Sequence, residues 1–268
     1  MQPTCFLEDP TSVCLLQKAL YGLRESALLW NHTIDNTFRQ LGLQPFQADP
    51  CAYLHPSTKL MILLYVDDTL LGAPNTITLN KFLDNLEASY GLKRLGTPTK
   101  FLGYSIARLP EHKTILLHQT GYAKELLARF EMHRCNGRHI PLNPGHKLNY
   151  NTTSNNLDPH FLSFYQAIAG SLNWLNIKTR PGFTFAVRNI QTKLSFPNSE
   201  DMAAAKGILR YLKTFPDLGI PLTIDPSKGL EVFADASFSD HPDGKSSQGW
   251  IIFYAGTQFP EPLQNKVL

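Results

Sequence analysis

From Ser26 onward, Leu29, Trp30, Ile34, Phe38 and Leu41 recur at helical spacing, and Gly42 follows. That pattern predicts a helix over residues 25–40, entered through a turn at Tyr21-Gly22. The period then changes. Residues 52–55 read as a short strand and 56–58 as a turn. An almost unbroken apolar run follows over 59–66, is interrupted by Asp67-Asp68, and resumes over 69–73. Two apolar runs around a two-residue polar interruption predict a β-hairpin. Leu79, Phe82, Leu83, Leu86 and Tyr90 restore the helical period and Gly91 ends it; 101–106 and 114–118 read as strand, turn, strand. The order α-β-β-α-β-β predicts an α+β architecture, an antiparallel sheet with helices on one face.

Residues 120–215 read mainly as helix. An amphipathic segment over 121–132 precedes a polar stretch at 142–159, rich in Asn, Pro, Thr and Ser and expected to be a loop. Helical pattern returns over 164–178, breaks at Arg180-Pro181 and resumes over 183–194. Ser199 is the expected N-cap of a helix through Lys213, with Glu200 and Asp201 in its first turn. Pro216, Gly219, Pro221, Pro226 and Gly229 mark a linker at 216–228, and strand signals follow at 230–234 and 250–254. The expected organisation is therefore 1–110, 111–215 and 229–268.

Composition narrows the class. The 268 residues are 43% hydrophobic and 18% charged, enough for a real core and too apolar for a disordered acidic chain or a coiled coil. No apolar window is long enough for a transmembrane helix, and the N-terminus lacks the basic and apolar regions of a signal peptide, so an intracellular protein with no membrane partner is expected. Cys5, Cys14, Cys51 and Cys135 stand far apart without a C-x-x-C pair, which indicates reduced thiols. Charge is unevenly spread: residues 111–213 carry thirteen Lys/Arg against six Asp/Glu, while 214–268 carry three against seven. A basic middle segment suits a phosphate-rich partner, although charge alone reads more readily as a solvated helical surface.

The adjacent carboxylates of Asp67 and Asp68 carry the sharpest chemistry. Two acids between apolar strands repel unless a cation compensates them. A hairpin tip presents them to Mg²⁺, which takes one or two carboxylates together with phosphate oxygens. A plain solvated turn is the alternative, since Asp is a common turn residue.

The neighbouring residues add a family resemblance. Tyr65-Val66-Asp67-Asp68 resembles the Y-x-D-D motif of reverse transcriptases. Leu20-Tyr21-Gly22-Leu23-Arg24 with Trp30 resembles the L-Y-G-L-[KR]-Q-A-P-R-A-W segment of copia-type retrotransposon polymerases. Leu95-Gly96 with Phe101-Leu102-Gly103-Tyr104-Ser105-Ile106 resembles their L-G…F-L-G-x-x-I segment, and His118-Gln119…Tyr122…Lys124-Glu125-Leu126-Leu127 resembles H-Q-x-x-Y-x-K-E-L-L. Tyr165, Gly170-Ser171-Leu172, Arg180-Pro181, Ala186-Val187, 209–214 and Ala234-Asp235-Ala236 follow in the family's order.

The resemblance implies an RNA-directed DNA polymerase made of a partial palm (1–110), a helical thumb and connection (111–215), and a truncated ribonuclease H-like α/β fragment (229–268). It implies Asp67 and Asp68 as catalytic Mg²⁺ ligands in a two-metal site, and Asp235 as the first metal carboxylate of the ribonuclease H module. Tyr21, Gly22, Arg24 and Glu25 would face nucleotide and template, and Phe101, Leu102, Gly103 and Tyr104 would grip the primer. The implied partners are an RNA template, an RNA–DNA or DNA duplex, and deoxynucleoside triphosphates. The family's M-D-V-K segment, which carries its first palm carboxylate, lies upstream of what this chain contains, so the chain as written is expected to be inactive. Glu25 stands where the family has Gln and puts a negative charge in the nucleotide-facing segment. A non-catalytic remnant with residual nucleic-acid binding is the rival reading.

Other residues read more plainly. Lys206, Arg210 and Lys213 fall at i, i+4 and i+7, a phosphate-binding stripe or an ordinary basic face. Trp30 and Trp174 are expected in cores, His118 as a strand-end hydrogen-bonder, and Asp235 equally as a solvated acid at a strand end. The final fourteen residues are expected to be disordered, the 229–254 strands frayed or loosely packed, and the protease-resistant core to end near Thr214.

Overall fold

The computed structural model describes residues 16–110, 113–143, 157–238 and 246–258. It is a mixed α+β protein that divides into two compact units, 1–97 and 98–268.

The first unit contains helix α1 (Ser26–Gln40), strands β1 (Gln44–Pro45), β2 (Ala52–Leu54), β3 (Met61–Tyr65) and β4 (Asp68–Gly72), and helix α2 (Thr76–Ser89). The strands form one antiparallel sheet in the order β1-β2-β3-β4. Strand alternation sends Ile62 and Leu64 to a buried face with Tyr53, where Ile34 and Phe38 of α1 and Phe82 and Leu86 of α2 complete the core. Both helices thus cover one face of the sheet. Met61, Leu63 and Tyr65, on the other face of β3, are exposed. Gly42 ends α1 at φ +85, a conformation glycine adopts without a Cβ penalty. Asn75 caps α2 by accepting from the Thr78 N–H at 2.8 Å.

The second unit begins with β5 (Lys100–Phe101), β6 (Tyr104–Leu109) and β7 (Thr114–His118). The stretch 101–106 is not one strand, as the sequence suggests. Leu102 and Gly103 take φ values of +49 and +81 and turn β5 back on β6. Helices α3 (Thr120–Arg129), α4 (Pro159–Thr179), α5 (Thr184–Gln191) and α6 (Ser199–Thr214) follow. They pack around Leu126, Tyr165, Ile168, Leu172, Leu175, Val187, Ile208 and Leu209, all buried. Of the polar stretch 142–159, residues 144–156 lie outside the described residues. Pro159 proves to be the first residue of α4, where its missing N–H costs nothing, and the Asp158 side chain caps the helix.

Two further expectations for this unit are corrected. The N-cap of α6 is Asn198, not Ser199: its side chain accepts from the N–H groups of Glu200 and Asp201, and the Asp201 carboxylate accepts from the Asn198 N–H in return. Residues 216–228 are not a bare linker, because strand β8 (Gly219–Thr223) pairs antiparallel with β7 and closes a sheet in the order β5-β6-β7-β8. Pro221 fits there because β8 is an edge strand, which tolerates a residue without an N–H.

Strands β9 (Leu230–Ser237), β10 (Ser247–Tyr254) and β11 (Thr257–Gln258) form a third antiparallel sheet, with β10 central. Every side chain of β9 is exposed. The Thr257 hydroxyl bonds both the N–H and the carbonyl of Thr223, tying β11 to β8. Part of the tail expected to be disordered is therefore structured: Ala255 is buried and Thr257–Gln258 is paired, while 259–268 lie outside the described residues.

Candidate functional site

Antiparallel pairing of β3 and β4 runs through Met61–Gly72, Leu63–Leu70 and Tyr65–Asp68, which leaves Val66 and Asp67 as a two-residue turn. Directly opposed residues share a face, so Asp68 stands beside Tyr65 on the open side of the sheet. Both carboxylates are exposed. Val66 has φ +56. A β-branched residue rarely enters that left-handed region, and such backbone costs on the order of 1–3 kcal/mol.

Trp30, in the second turn of α1, donates its indole N–H to the Val66 carbonyl at 2.6 Å. Its ring meets Tyr90 edge to face at 5.7 Å, and the Tyr90 hydroxyl bonds Thr37 Oγ1 at 2.7 Å. Trp30 is half-buried against the first core, as the helical pattern suggests. The sequence does not disclose its polar partner. A partly buried indole N–H needs an acceptor, and the pattern alone cannot say which. The same bond ties the second turn of α1 to the hairpin tip. Glu25 lies five residues before Trp30, about 7.5 Å along the helix axis. Tyr21, Gly22, Arg24 and Glu25 are all exposed in this approach segment, with Gly22 at φ +92.

The pair suits a hard cation chemically, since Mg²⁺ binds through one or two carboxylates and fills the rest of its octahedron with water and phosphate oxygens. Among the described residues no group of three or more His, Cys, Asp or Glu side chains converges, so Asp67 and Asp68 supply two carboxylates and no complete protein cage.

The remaining candidates belong to the second unit. Phe101 and Tyr104 flank the Leu102-Gly103 turn as a hydrogen-bonded hairpin. Asp235 lies in β9, pairs across to Gly249, and accepts from the Ala236 N–H at 3.0 Å. It is exposed, and no carboxylate cluster forms around it among the described residues. Lys206 and Lys213 are exposed on α6, whereas Arg210 is half-buried and donates through Nε to the Asn136 carbonyl at 2.8 Å. His118 bonds Thr120 Oγ1 at 2.7 Å at the end of β7, as expected.

Trp174 is not a core residue. It is 44% exposed, with the Lys178 ammonium over its ring at 5.0 Å and over the Tyr104 ring at 5.8 Å. The low hydrophobic contrast around α4, apolar on most sides, hides which positions face outward. Arg180, which with Pro181 reads in the sequence as a helix break and as one of the family-like segments, is a buried guanidinium. It donates through Nη1 to the Phe215 carbonyl at 2.7 Å and through Nη2 to that of Pro216, and Nε has no partner. Burial pushes its pKa down to about 10.

Residues 1–144 match the family model for reverse transcriptase, RNA-dependent DNA polymerase. The chain belongs to that family. It is 32% identical, over 94% of its length, to the retrovirus-related Pol polyprotein from transposon RE1 of Arabidopsis thaliana, and 30% identical, over 91%, to that from transposon TNT 1-94 of Nicotiana tabacum. These relatives are copia-type, as the motifs suggest. The chain spans 17% and 19% of their respective lengths. Over 67% of its length it is also 30% identical to an uncharacterized mitochondrial protein of Arabidopsis thaliana, of which it covers 72%. No solved structure matches the chain. No helix among the described residues is long and apolar enough to cross a membrane.

Proposed function

We propose that the chain is part of a copia-type reverse transcriptase palm, followed by its thumb and connection and the opening of a ribonuclease H-like module. The activity in this reading is template-directed deoxynucleotidyl transfer, with an RNA template, a primer duplex and deoxynucleoside triphosphates as partners. The observation that carries the reading is the Tyr65-Val66-Asp67-Asp68 hairpin, whose tip offers two exposed carboxylates; the family resemblance adds Tyr21, Gly22, Arg24 and Glu25 as the nucleotide-facing segment. Asp67 and Asp68 would hold Mg²⁺, which when bound supplies charge stabilisation to a transferring phosphoryl group. The chain's own residues present the carboxylates and hold the turn that carries them, and the resemblance adds Arg24 as a cation for phosphate. Glu25 opposes that attraction. Lys206 and Lys213 would hold duplex phosphates, and the Phe101–Tyr104 hairpin would bear on the primer.

Two carboxylates at one hairpin tip do not enclose two metals, which need carboxylates converging from separate strands. The isolated chain is therefore expected to bind Mn²⁺, used as a spectroscopic stand-in for Mg²⁺, without extending a primed RNA template. The test is a Mn²⁺ titration followed by electron paramagnetic resonance, together with primer extension in Mg²⁺. Mn²⁺ binding that weakens at least tenfold in Asp67→Asn/Asp68→Asn supports the reading. Binding unchanged by that double substitution, or primer extension that persists in it, overturns it. A second reading, a non-catalytic remnant that binds nucleic acid, is favoured by the exposed Lys206 and Lys213; it calls for salt-sensitive duplex binding with no dependence on Asp67 or Asp68.

A further inference from the structure

The Val66-Asp67 turn is held in a backbone conformation that its own side chain disfavours, and one side chain from a different element reaches its carbonyl. Val66 sits at φ +56 and accepts the Trp30 indole N–H at 2.6 Å, across 36 residues of sequence. Trp30 is itself fixed: its ring abuts Tyr90 at the end of α2, and Tyr90 is bonded back to Thr37 of α1. A left-handed β-branched residue persists only where its surroundings over-determine it. Nothing in the local sequence does so here, since the turn contains no glycine or asparagine.

We propose that Trp30 is a positioning residue for Asp67 and Asp68: the Nε1–H bond to Val66 locks the strained turn and thereby sets where the two carboxylates stand. The importance of that position rests on the metal-binding reading above; the locking itself does not. Without the bond, Val66 relaxes toward negative φ, the Tyr65–Asp68 closing pair opens, and Asp67 swings away from Asp68. The rest of β3 stays in place, held by Ile62 and Leu64 in the core.

The experiment is a double-mutant comparison in the full chain. Amide hydrogen exchange at Tyr65 and Asp68, read by NMR without metal, is measured in the parent, Trp30→Phe, Val66→Gly and the combined variant, with Ile62 and Leu64 as fold controls. Phenylalanine keeps the ring contact with Tyr90 and loses the donor. Trp30→Phe is expected to speed exchange at Asp68 at least tenfold with Ile62 and Leu64 unchanged. Glycine takes φ > 0 at no steric cost, so in the Val66→Gly background the same substitution should change exchange by less than threefold. That rescue separates turn-locking from packing, which would cost the same in both backgrounds. Equal effects in the two backgrounds, no effect on Asp68, or exchange that rises equally at Ile62 and Leu64 would each overturn the proposal.

Mn²⁺ titration of the same variants tests the consequence for the carboxylates. Trp30→Phe should weaken binding about fivefold and the combined variant should recover most of it. If the parent binds Mn²⁺ no better than Asp67→Asn/Asp68→Asn, the metal reading fails and with it the functional importance of the position, while the exchange results still decide whether Trp30 locks the turn.

Discussion

Single residues in this protein do most where their polar atoms meet an element distant in sequence. Asp35 accepts from Arg39 Nε at 2.8 Å and from the Tyr53 hydroxyl at 3.0 Å, joining α1 to β2. The Arg39 hydrogen bond holds the Asp35 carboxyl below its usual range, against a smaller opposing push from burial. Burial first, and then the bond to Asp35, raises Tyr53 to about 12. A carboxylate whose pKa is lowered by folding stabilises the fold above its unfolded value and loses that contribution as pH falls through the folded one. Asp35→Asn should therefore cost about 1 kcal/mol at pH 7, and the gap to the parent should narrow in urea unfolding near pH 3. A gap that is constant with pH would mean that the charge plays no part. Arg180 makes the opposite case, a buried cation bonded only to carbonyls. Lysine cannot present two donors in a planar fork, so Arg180→Lys should destabilise by roughly 2 kcal/mol in the same assay.

Elements show how much is legible in pattern. Five helices and the β3–β4 hairpin fall within a few residues of where periodicity puts them, because each has a buried stripe or face that leaves its mark on the sequence. The carboxylate pair is legible for the same reason, as a polar break in an apolar run. Misreadings cluster where a tertiary partner decides. Gly219, Pro221 and their neighbours look like linker residues, yet β7 supplies a ladder and turns them into β8. The Leu102-Gly103 turn hides within an apolar stretch because Leu102 adopts φ +49, which composition does not announce. The cap of α6 reads one residue late from sequence: Asn198 and Ser199 are both good caps, and only the position of Asp201 as N3 distinguishes them. Asn198→Ala should accordingly cost about 1 kcal/mol in urea unfolding, while Ser199→Ala should lie within about 0.5 kcal/mol of the parent. Equal losses would return the cap to Ser199.

At the scale of the molecule, the end of α6 is not where the second unit ends. The Phe215 and Pro216 carbonyls accept the Arg180 guanidinium, β8 covers the edge of β7, and Thr223 is bonded to Thr257 of β11. Gly219 lies so close to β7 that a Cβ there would collide with the Leu117 carbonyl oxygen, which demands glycine where the strands join. A chain cut after Thr214 loses all of these at once. It leaves a buried guanidinium without acceptors, and breaking the partners of a buried charge costs about 3–5 kcal/mol. It also bares β7 as an unpaired edge. Protease should therefore leave 216–223 intact rather than trim the chain to Thr214. In the truncated chain, amide protection at Leu172, Leu175 and Ile208 should fall at least a hundredfold, while Ile62 and Leu64 in the first unit keep theirs. Protection at Leu172 and Ile208 that survives truncation would show that the helices hold Arg180 by themselves, and that β8 is attached to the second unit rather than built into it.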